Sequence, residues 1–334
     1  KPVYWCPVCA TAVAEAEIKY TADGDGKSPV FAAKTNAEGK INSFIACTGE
    51  YNLNNANTFL KEALTAGDNV AITVARTYAV PTGKNLTITG AVDGVVFDNI
   101  SATNMGGANV TFNNVTFDYY PNVNYTGLQH SGNLVYNNCI INGQVFLYGT
   151  SETFNNCTFN QNSSGAYNVW TYGAKEVAFN ECTFNSAGKS VLIYKEKTPG
   201  FVANVSVDEC EFNATTAVEG KAAIEMDSSL IGGINLTIDS EDTPEEDRTT
   251  ATGFDEGNAS GNSLWNNKKG NNDDANNNIT VVVAGVTVLE PVYVAKIGEE
   301  GHRTLQEAIG KVENGETITL LADCDETVTF TQTK

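Results

Sequence analysis

Arginine is nearly missing from this chain: its 334 residues include only Arg76, Arg248 and Arg303. Lys and Arg together number 20 against 40 Asp and Glu, so the formal net charge is −20. A chain this acidic repels nucleic acid and anionic membranes, and we expect neither as a partner. No run of 18 apolar residues occurs, which excludes an ordinary membrane-spanning helix. Enzymes acting on anionic sugars use arginine heavily, so its scarcity disfavours that class.

What the sequence does have is an internal repeat. A nine-residue phrase of two short alternating segments, joined by a polar pair that is usually Asn-Asn, occurs at 110–118, 134–142, 152–160, 177–185 and 205–213. The residue after the polar pair is Val115 in the first copy and Cys139, Cys157, Cys182 and Cys210 in the others, at intervals of 18 to 28 residues. Repetition at such a period is typical of a solenoid.

Within each copy the alternation indicates which side chains face inward. In the first copy Val110, Phe112, Val115 and Phe117 share one face of the strands. The Cys column then points inward as small buried thiols rather than forming bridges. The Asn pair turns the chain, because Asn tolerates the left-handed backbone region. Stacked coils would place three of these residues in a hydrogen-bonded ladder, namely Asn114, Asn138 and Asn156.

A third strand per coil follows in the segments at 145–149, 169–173, 191–194 and 223–226. Thr171 and Glu225 align in one column, which we expect to face outward. The columns Phe146/Trp170/Leu192/Ile224 and Tyr148/Tyr172/Tyr194/Met226 are then expected inside. The sequence therefore predicts an all-β fold, a right-handed parallel β-helix of three sheets like that of pectate lyases, over residues 84–288.

The amino-terminal region differs in pattern. Residues 1–34 form an atypical segment with a Cys-x-x-Cys pair, Cys6 and Cys9, and a helical stretch from Ala12 to Tyr20. The segments KPVYWCPVCATAVAEAEIKY and Lys27-Ser-Pro-Val-Phe31 resemble part of the isoleucyl-type class I aminoacyl-tRNA synthetases. We infer no synthetase activity for this chain from that resemblance. Residues 35–83 are expected to supply the first strands and a helix at 57–66 that caps the open end of the solenoid.

Two later regions interrupt or restart the pattern. Residues 239–278 are rich in acids and then in Asn, which predicts a long excursion or a poorly ordered loop. Residues 289–334 repeat the pattern of the amino-terminal cap and first strand, because Thr304–Ile309 matches Phe59–Leu64. They would form a second cap and repeat, or a docked segment, and favour a tandem array. The pattern over residues 50–334 resembles β-helix repeat regions of large secreted and surface proteins of gut Clostridia and related Gram-positive bacteria, which implies an extracellular or cell-surface location.

The acidic residues offer little support for catalysis. No paired carboxylates at the separation that glycosidases use are recognisable, and the motifs of polygalacturonases are missing. The acids beside the turn column, which are the weak candidates for a cation such as Ca²⁺, are Glu181, Asp208, Glu209 and Glu211. We expect no cofactor. A polysaccharide lyase or glycoside hydrolase on the same fold remains the alternative, as does a receptor-binding protein like a phage tail spike.

The best candidate binding surface in the sequence is the loop at 119–132. It contains Tyr119, Tyr120 and Tyr125, followed by His130. Tyrosines on loops suit contact with sugars or proteins, because they present rigid amphipathic area. We therefore expect a non-catalytic adhesin, stalk or binding module for a glycan or a host or cell-surface protein.

Overall fold

The structure is a computed structural model. It describes the backbone of short strands at 4–6, 11–13, 30–35, 41–46, 69–72 and 76–79, and then residues 86–90, 94–98, 103–118, 127–194, 201–227, 233–258, 260–268, 279–291 and 293–330. The predicted capping helix at 57–66 lies outside these residues. At 11–13 the chain forms a strand where the sequence predicted the start of a helix. Among the residues described, no helix has the length and apolar character needed to cross a membrane.

Strands make up nearly all of the regular structure. The amino-terminal strands are β1 (Tyr4–Cys6), β2 (Thr11–Val13), β3 (Val30–Thr35), β4 (Ile41–Ala46), β5 (Asn69–Ile72) and β6 (Arg76–Ala79). The central strands are β7 (Leu86–Gly90), β8 (Val95–Asp98), β9 (Thr103–Asn113), β10 (Thr116–Asp118), β11 (Leu128–Asn137), β12 (Ile140–Asn142), β13 (Val145–Leu147), β14 (Ser151–Asn155), β15 (Thr158–Asn160), β16 (Val169–Trp170), β17 (Glu176–Asn180), β18 (Thr183–Ser186), β19 (Val191–Tyr194), β20 (Val202–Asp208), β21 (Glu211–Ala214), β22 (Ile224–Asp227), β23 (Gly233–Ile238), β24 (Thr250–Thr252), β25 (Trp265–Lys268) and β26 (Ile279–Val283). The carboxyl-terminal elements are β27 (Val286–Leu289), β28 (Ala295–Ile297), β29 (Glu300–His302), the helix α1 (Leu305–Lys311) and β30 (Ile318–Leu320).

The central strands stack in parallel as a β-solenoid, and three stacks can be followed along it. Stack one contains β7, β9, β11, β14, β17, β20, β23 and β26. Stack two contains β6, β8, β10, β12, β15, β18, β21 and β24. Stack three contains the first residues of β11 followed by β13, β16, β19, β22 and β25. Each strand therefore pairs with its counterpart one coil away.

The corner between stacks one and two is built from residues with left-handed backbone. Asn114, Asn138 and Asn156 have φ of 55°, 52° and 50°, and later coils place Glu181 and Glu209 at the same corner with φ of 54° and 52°. Asn and Asp accept this region more readily than other residues with a Cβ, which explains the Asn pair of the repeat.

Side-chain amides run along this corner. Asn156 Nδ2 donates to Asn138 Oδ1 at 2.7 Å. A longer row lies one residue earlier, where the amide of each Asn donates at 2.8 Å to the Asn of the preceding coil, through Asn113, Asn137, Asn155 and Asn180. The turns of successive coils are thus held in register by side chains as well as by the backbone.

The interior of the solenoid is a stack of phenylalanines and thiols. Phe184 lies 4.5 Å from Phe159 and 4.5 Å from Phe212, ring centre to ring centre and nearly parallel. The four column cysteines, Cys139, Cys157, Cys182 and Cys210, are free and buried. Each Sγ lies 3.3–3.4 Å from the carbonyl oxygen two residues earlier. Burial raises the pKa of the Cys139 and Cys182 thiols.

The acidic region after Ile238 continues the solenoid rather than leaving it. Strands β24 and β25 pair in parallel with β21 and β22, so residues 250–252 and 265–268 form further rungs. Asp239 occupies the corner with φ 56°, and its carboxylate accepts from the backbone and the hydroxyl of Thr249. The predicted excursion is therefore confined to the connections from β23 to β26, and the last of these, 269–278, lies outside the described residues. Composition misled the prediction, because an acidic residue, Asp239, serves here as a corner of the solenoid.

Candidate functional site

The outward face of stack three carries two columns of large side chains. The inward positions of β13, β16, β19 and β22 are buried and aliphatic: Val145, Val169, Val191 and Ile224. The residues that follow them, which alternation turns outward, are Phe146, Trp170, Leu192 and Glu225. A second outward column contains Tyr148, Tyr172, Tyr194 and Asp227, which we call the tyrosine column.

This arrangement reverses the expectation from the sequence. Leu192 pairs with Glu225, not with Ile224, and Thr171 is fully buried rather than outward. A shift of one residue exchanges the two faces of a strand, so the side chains of β13, β16 and β19 were assigned to the wrong side. In β22 the expectation is confirmed, because Ile224 and Met226 lie in the core and Glu225 lies in the outward column. The aromatic side chains expected in the core therefore lie outside it, although Phe146 is still covered, Trp170, Tyr172 and Tyr194 are half-buried and only Tyr148 is exposed.

The tyrosine column is a regular row of rings and hydroxyl groups. Tyr172 and Tyr194 stack with their ring centres 5.0 Å apart and their planes within 3°. Tyr148 lies 5.3 Å from Tyr172 at a tilt of 57° and is 38% exposed. Tyr172 and Tyr194 are both half-buried, so their stacked rings are partly open to solvent.

The neighbouring column supports the tyrosines from the side. Trp170 is 5.6 Å from Phe146 and 6.0 Å from Tyr194 by ring centres. Tyr167, in the loop before β16, meets Trp170 edge to face at 6.3 Å. The loop itself is held because the backbone N–H of Tyr167 donates to Gln144 Oε1 at 3.1 Å. The tyrosine column is thus preorganised on a packed base, which lowers the entropic cost of binding a ligand.

Carboxylates continue both columns on the next coil. Glu225 is buried, and its Oε2 lies 2.8 Å from Lys221 Nζ while its Oε1 accepts from the backbone N–H of Ala222 at 2.9 Å. Asn266 Nδ2 approaches the same Oε1 at 3.3 Å. Asp227, directly after Tyr194 in the tyrosine column, is only partly buried. The site therefore combines aromatic edges, phenolic hydroxyls and one accessible carboxylate, which can bind a ligand rich in hydrogen-bond donors.

A second concave surface lies on the outward face of stack one. It is a groove of about 400 Å³ lined by Ser151, Glu152, Thr153, Glu176, Val177, Ala178, Asn204, Val205, Ser206, Asn235 and Thr237. Its amides are already engaged: Asn204 Nδ2 donates to Glu176 Oε1 and Asn235 Nδ2 to Asn204 Oδ1, both at 2.7 Å. Arg303 Nη2 donates to Asn235 Oδ1 at 3.1 Å and ties the carboxyl-terminal segment to this face.

The binding loop predicted from the sequence is only partly described. Tyr119, Tyr120 and Tyr125 lie outside the described residues. His130 is not in a loop: it is fully buried in β11, with Nδ1 2.6 Å from the hydroxyl of Tyr136 and its ring stacked on that residue. Burial lowers the pKa of His130 to about 3. A side chain enclosed in this way cannot touch an external ligand, so we withdraw His130 as a binding residue.

The acids proposed as a cation site line the corner as expected but do not form a cage. Glu181, Asp208, Glu209 and Glu211 lie on two adjacent coils, and Asp208 Oδ1 accepts from the hydroxyl of Thr243 at 2.7 Å. Partial desolvation, followed by neighbouring carboxylates, raises the pKa of the exposed Glu209. Within the described part of the chain, no three His, Cys, Asp or Glu side chains converge as metal ligands would.

A usable signal for the tyrosine column was present in the sequence. The first residue of each third strand is β-branched, Val, Val, Val and Ile, and this set marks the inward face better than the aromatic residues do. The expected alignment of Glu225 with Thr171 in one outward column concealed this signal, because it put the β-branched residues of three strands on the wrong face. Comparison with protein-family models, with curated protein sequences and with solved structures gave no match to this chain.

Proposed function

We propose that this chain is a non-catalytic binding module, adhesin or stalk of a secreted or surface-exposed bacterial protein, and that it contacts its ligand through the tyrosine column. The observation that carries the proposal is the outward row of Tyr148, Tyr172 and Tyr194 on a rigid parallel sheet. Tyrosine offers large contact area with few rotatable bonds, together with a hydroxyl group for hydrogen bonding.

Between a glycan and a host or cell-surface protein, the repeat of the column favours a glycan as the first ligand to test. The hydroxyl groups recur once per coil, and a polysaccharide repeats its own hydroxyl groups along its length. Asp227 extends the row with an acceptor. Such spaced polar groups would bind successive sugars without requiring a deep pocket.

We also infer that the solenoid is a right-handed parallel β-helix of the pectate lyase type with three sheets. Connections between parallel strands of one sheet are right-handed in about 98% of cases, because right-twisted strands pack back on the sheet only that way. Three stacks and a sharp corner between the first two support the assignment. An experimental structure of the central coils would test the handedness directly.

The test of function is a glycan array together with a panel of extracellular host proteins, screened with the wild-type chain and with Tyr172→Ala/Tyr194→Ala. Loss of two central tyrosines should weaken binding by at least tenfold, since residues at the centre of an interface cost about 2 kcal/mol or more when truncated. Tyr172→Phe/Tyr194→Phe retains the rings and should show an intermediate loss of about 0.5–1.5 kcal/mol per hydroxyl.

The matched control is Ile140→Ala on stack two, because Ile140 is 42% exposed and lies away from the column. Equal binding by wild type and both tyrosine variants would remove the site. Shortened products released from a bound glycan would instead favour a polysaccharide lyase or glycoside hydrolase. A detergent-resistant homotrimer would favour the tail-spike alternative.

A further inference from the structure

The carboxyl-terminal segment repeats the topology of the amino-terminal strands. Strands β3 and β4 form an antiparallel hairpin, and β5 then pairs antiparallel with the first strand of that hairpin. Strands β28 and β29 form an antiparallel hairpin too, and β30 pairs antiparallel with its first strand. In both places the strand order is second, first, third, although the two regions lie at opposite ends of the chain.

At the amino-terminal site this motif starts the solenoid. The edge of β5 that faces away from β3 pairs in parallel with β7, with Val70 opposite Ile88. The next strand, β6, pairs in parallel with β8, with Tyr78 opposite Phe97. The hairpin and third strand thus serve as a template, because the first coil of the solenoid pairs with their edge.

At the carboxyl-terminal site the template is present and its edge is bare. Among the described residues β30 pairs with β28 alone. The segment 326–330, which follows β30 along the chain, is already held against α1: Glu326 accepts from the backbone N–H groups of Leu305 and Gln306, and Thr329 N donates to Gln306 Oε1 at 2.6 Å.

Large apolar side chains are exposed along this edge. Leu320 is 54% exposed, Leu321 50% and Phe330 75%, whereas phenylalanines inside the coils are fully buried. An apolar strand edge in water invites pairing with another strand, and native proteins normally cover it. The exposed edge therefore calls for a strand that brings its own apolar face.

We propose that β30 and segment 326–330 are the docking edge for the first coil of a second β-solenoid unit joined in tandem, which would pair with them in parallel as β7 and β8 pair with β5 and β6. The order of the amino-terminal motif supports a tandem unit, because there the coil follows its template directly along the chain. A unit joined in tandem is also favoured over a separate copy of this chain, because the covalent connection makes docking intramolecular.

The experiment joins residues 81–290 directly after Phe330, reproducing the short connection that precedes β7. Hydrogen exchange is then compared between this tandem protein and the original chain at the amides of 318–320 and 326–330, leaving out Thr329, whose amide already donates to Gln306. If the added coils dock, these amides should exchange roughly a hundredfold more slowly, because strand pairing raises their local opening free energy. Leu320→Lys/Leu321→Lys in the tandem protein should restore fast exchange.

The matched control is Val286→Lys/Val288→Lys in β27, where the side chains are 63% and 49% exposed but outside the proposed edge, and it should leave the protection intact. Added coils that fold without slowing exchange at 318–330 would overturn the proposal, as would added coils that fail to fold on the template. A dimer of the original chain that Leu320→Lys/Leu321→Lys dissociates would assign the edge to a second copy instead. No outcome depends on the tyrosine column.

Discussion

At the scale of single residues, a histidine and a glutamate occupy the apolar interior, namely His130 and Glu152. His130 is bonded to Tyr136 and enclosed by aromatic rings. Glu152 lies in an inward column between Leu134 and Val177, and its Oε1 accepts from the backbone N–H of Gly149 at 2.9 Å. Burial raises the pKa of Glu152 well above its usual range, with the Gly149 bond acting in the opposite direction, so the protonated acid is favoured.

His130 should make the protein sensitive to acid. Its pKa is about 3 in the folded chain against an ordinary 6.5, so below pH 6.5 the unfolded chain takes up a proton first. Its contribution is therefore present above pH 6.5 and is lost as the pH falls towards 3, a total on the order of 5 kcal/mol at about 1.4 kcal/mol per unit of pKa.

The measurement is urea unfolding at a series of pH values for wild type and for His130→Phe/Tyr136→Phe, which removes both partners of the hydrogen bond. The free energy of unfolding of the double variant should decline less steeply between pH 6.5 and pH 3. Tyr136→Phe alone is the control, because it retains the histidine and should keep the steep decline. Parallel profiles for all three proteins would contradict the assignment.

At the scale of elements, the corner between stacks one and two depends on a backbone conformation that few residues accept. Asn156 combines φ of 50° with a side-chain bond to Asn138. Asn185 makes a comparable exposed bond, to Asn160 at 3.0 Å, and its φ is not positive. The two residues therefore separate the cost of the conformation from the cost of the hydrogen bond.

Asn156→Ala should destabilise the chain more than Asn185→Ala. Both lose a hydrogen bond worth about 0.5–1.5 kcal/mol. Asn156→Ala additionally loses the short polar side chain that makes the left-handed region tolerable, where an ordinary residue costs about 1–2 kcal/mol. Chemical denaturation measures the difference. Asn156→Gly, which relieves the backbone, should recover part of the loss; equal destabilisation by all three variants would show that the corner conformation is not limiting.

At the scale of the whole molecule, the solenoid contains its thiols along one interior line. Cys139, Cys157, Cys182 and Cys210 are each about 1% exposed, while Cys324 in the carboxyl-terminal segment is partly accessible. No disulfide connects the five cysteines of the described residues, so stacking and hydrogen bonds hold these coils. Contacts in such a fold run between neighbouring coils, and opening any coil would expose its thiol.

Thiol labelling should therefore report unfolding of the coils. In a background with Cys6, Cys9 and Cys47 changed to Ser, an excess of thiol reagent should modify Cys324 quickly and the four column thiols at least about a hundredfold more slowly. Near the midpoint of urea unfolding, the fast and slow phases of thiol modification should merge into one. Adding Cys324→Ser should abolish the fast phase, and rapid modification of Cys157 in the native protein would contradict the buried column.

Local patterns of the sequence were enough to predict a parallel solenoid, its inward Phe and Cys positions and its Asn corners. Each depends on a chemical preference that acts over a few residues: alternation of apolar side chains, or tolerance of positive φ by Asn114, Asn138 and Asn156. The helix and strand at 305–320 were also recognisable, because they repeat residues 59–73.

Only the tertiary structure decided which residues reach the surface of stack three. Alternation has a period of two and permits both frames for a strand such as β22, where pairing of Glu225 with Leu192 selects one of them. The same long-range pairing placed 250–252 and 265–268 in the solenoid despite their acidic, Asn-rich surroundings, and within the described part of the chain it gave β30 a partner on one edge only. Hydrogen bonds between coils, formed by residues 18 or more positions apart, carry that information, and the β-branched first residue of each third strand was the local pattern that hinted at it.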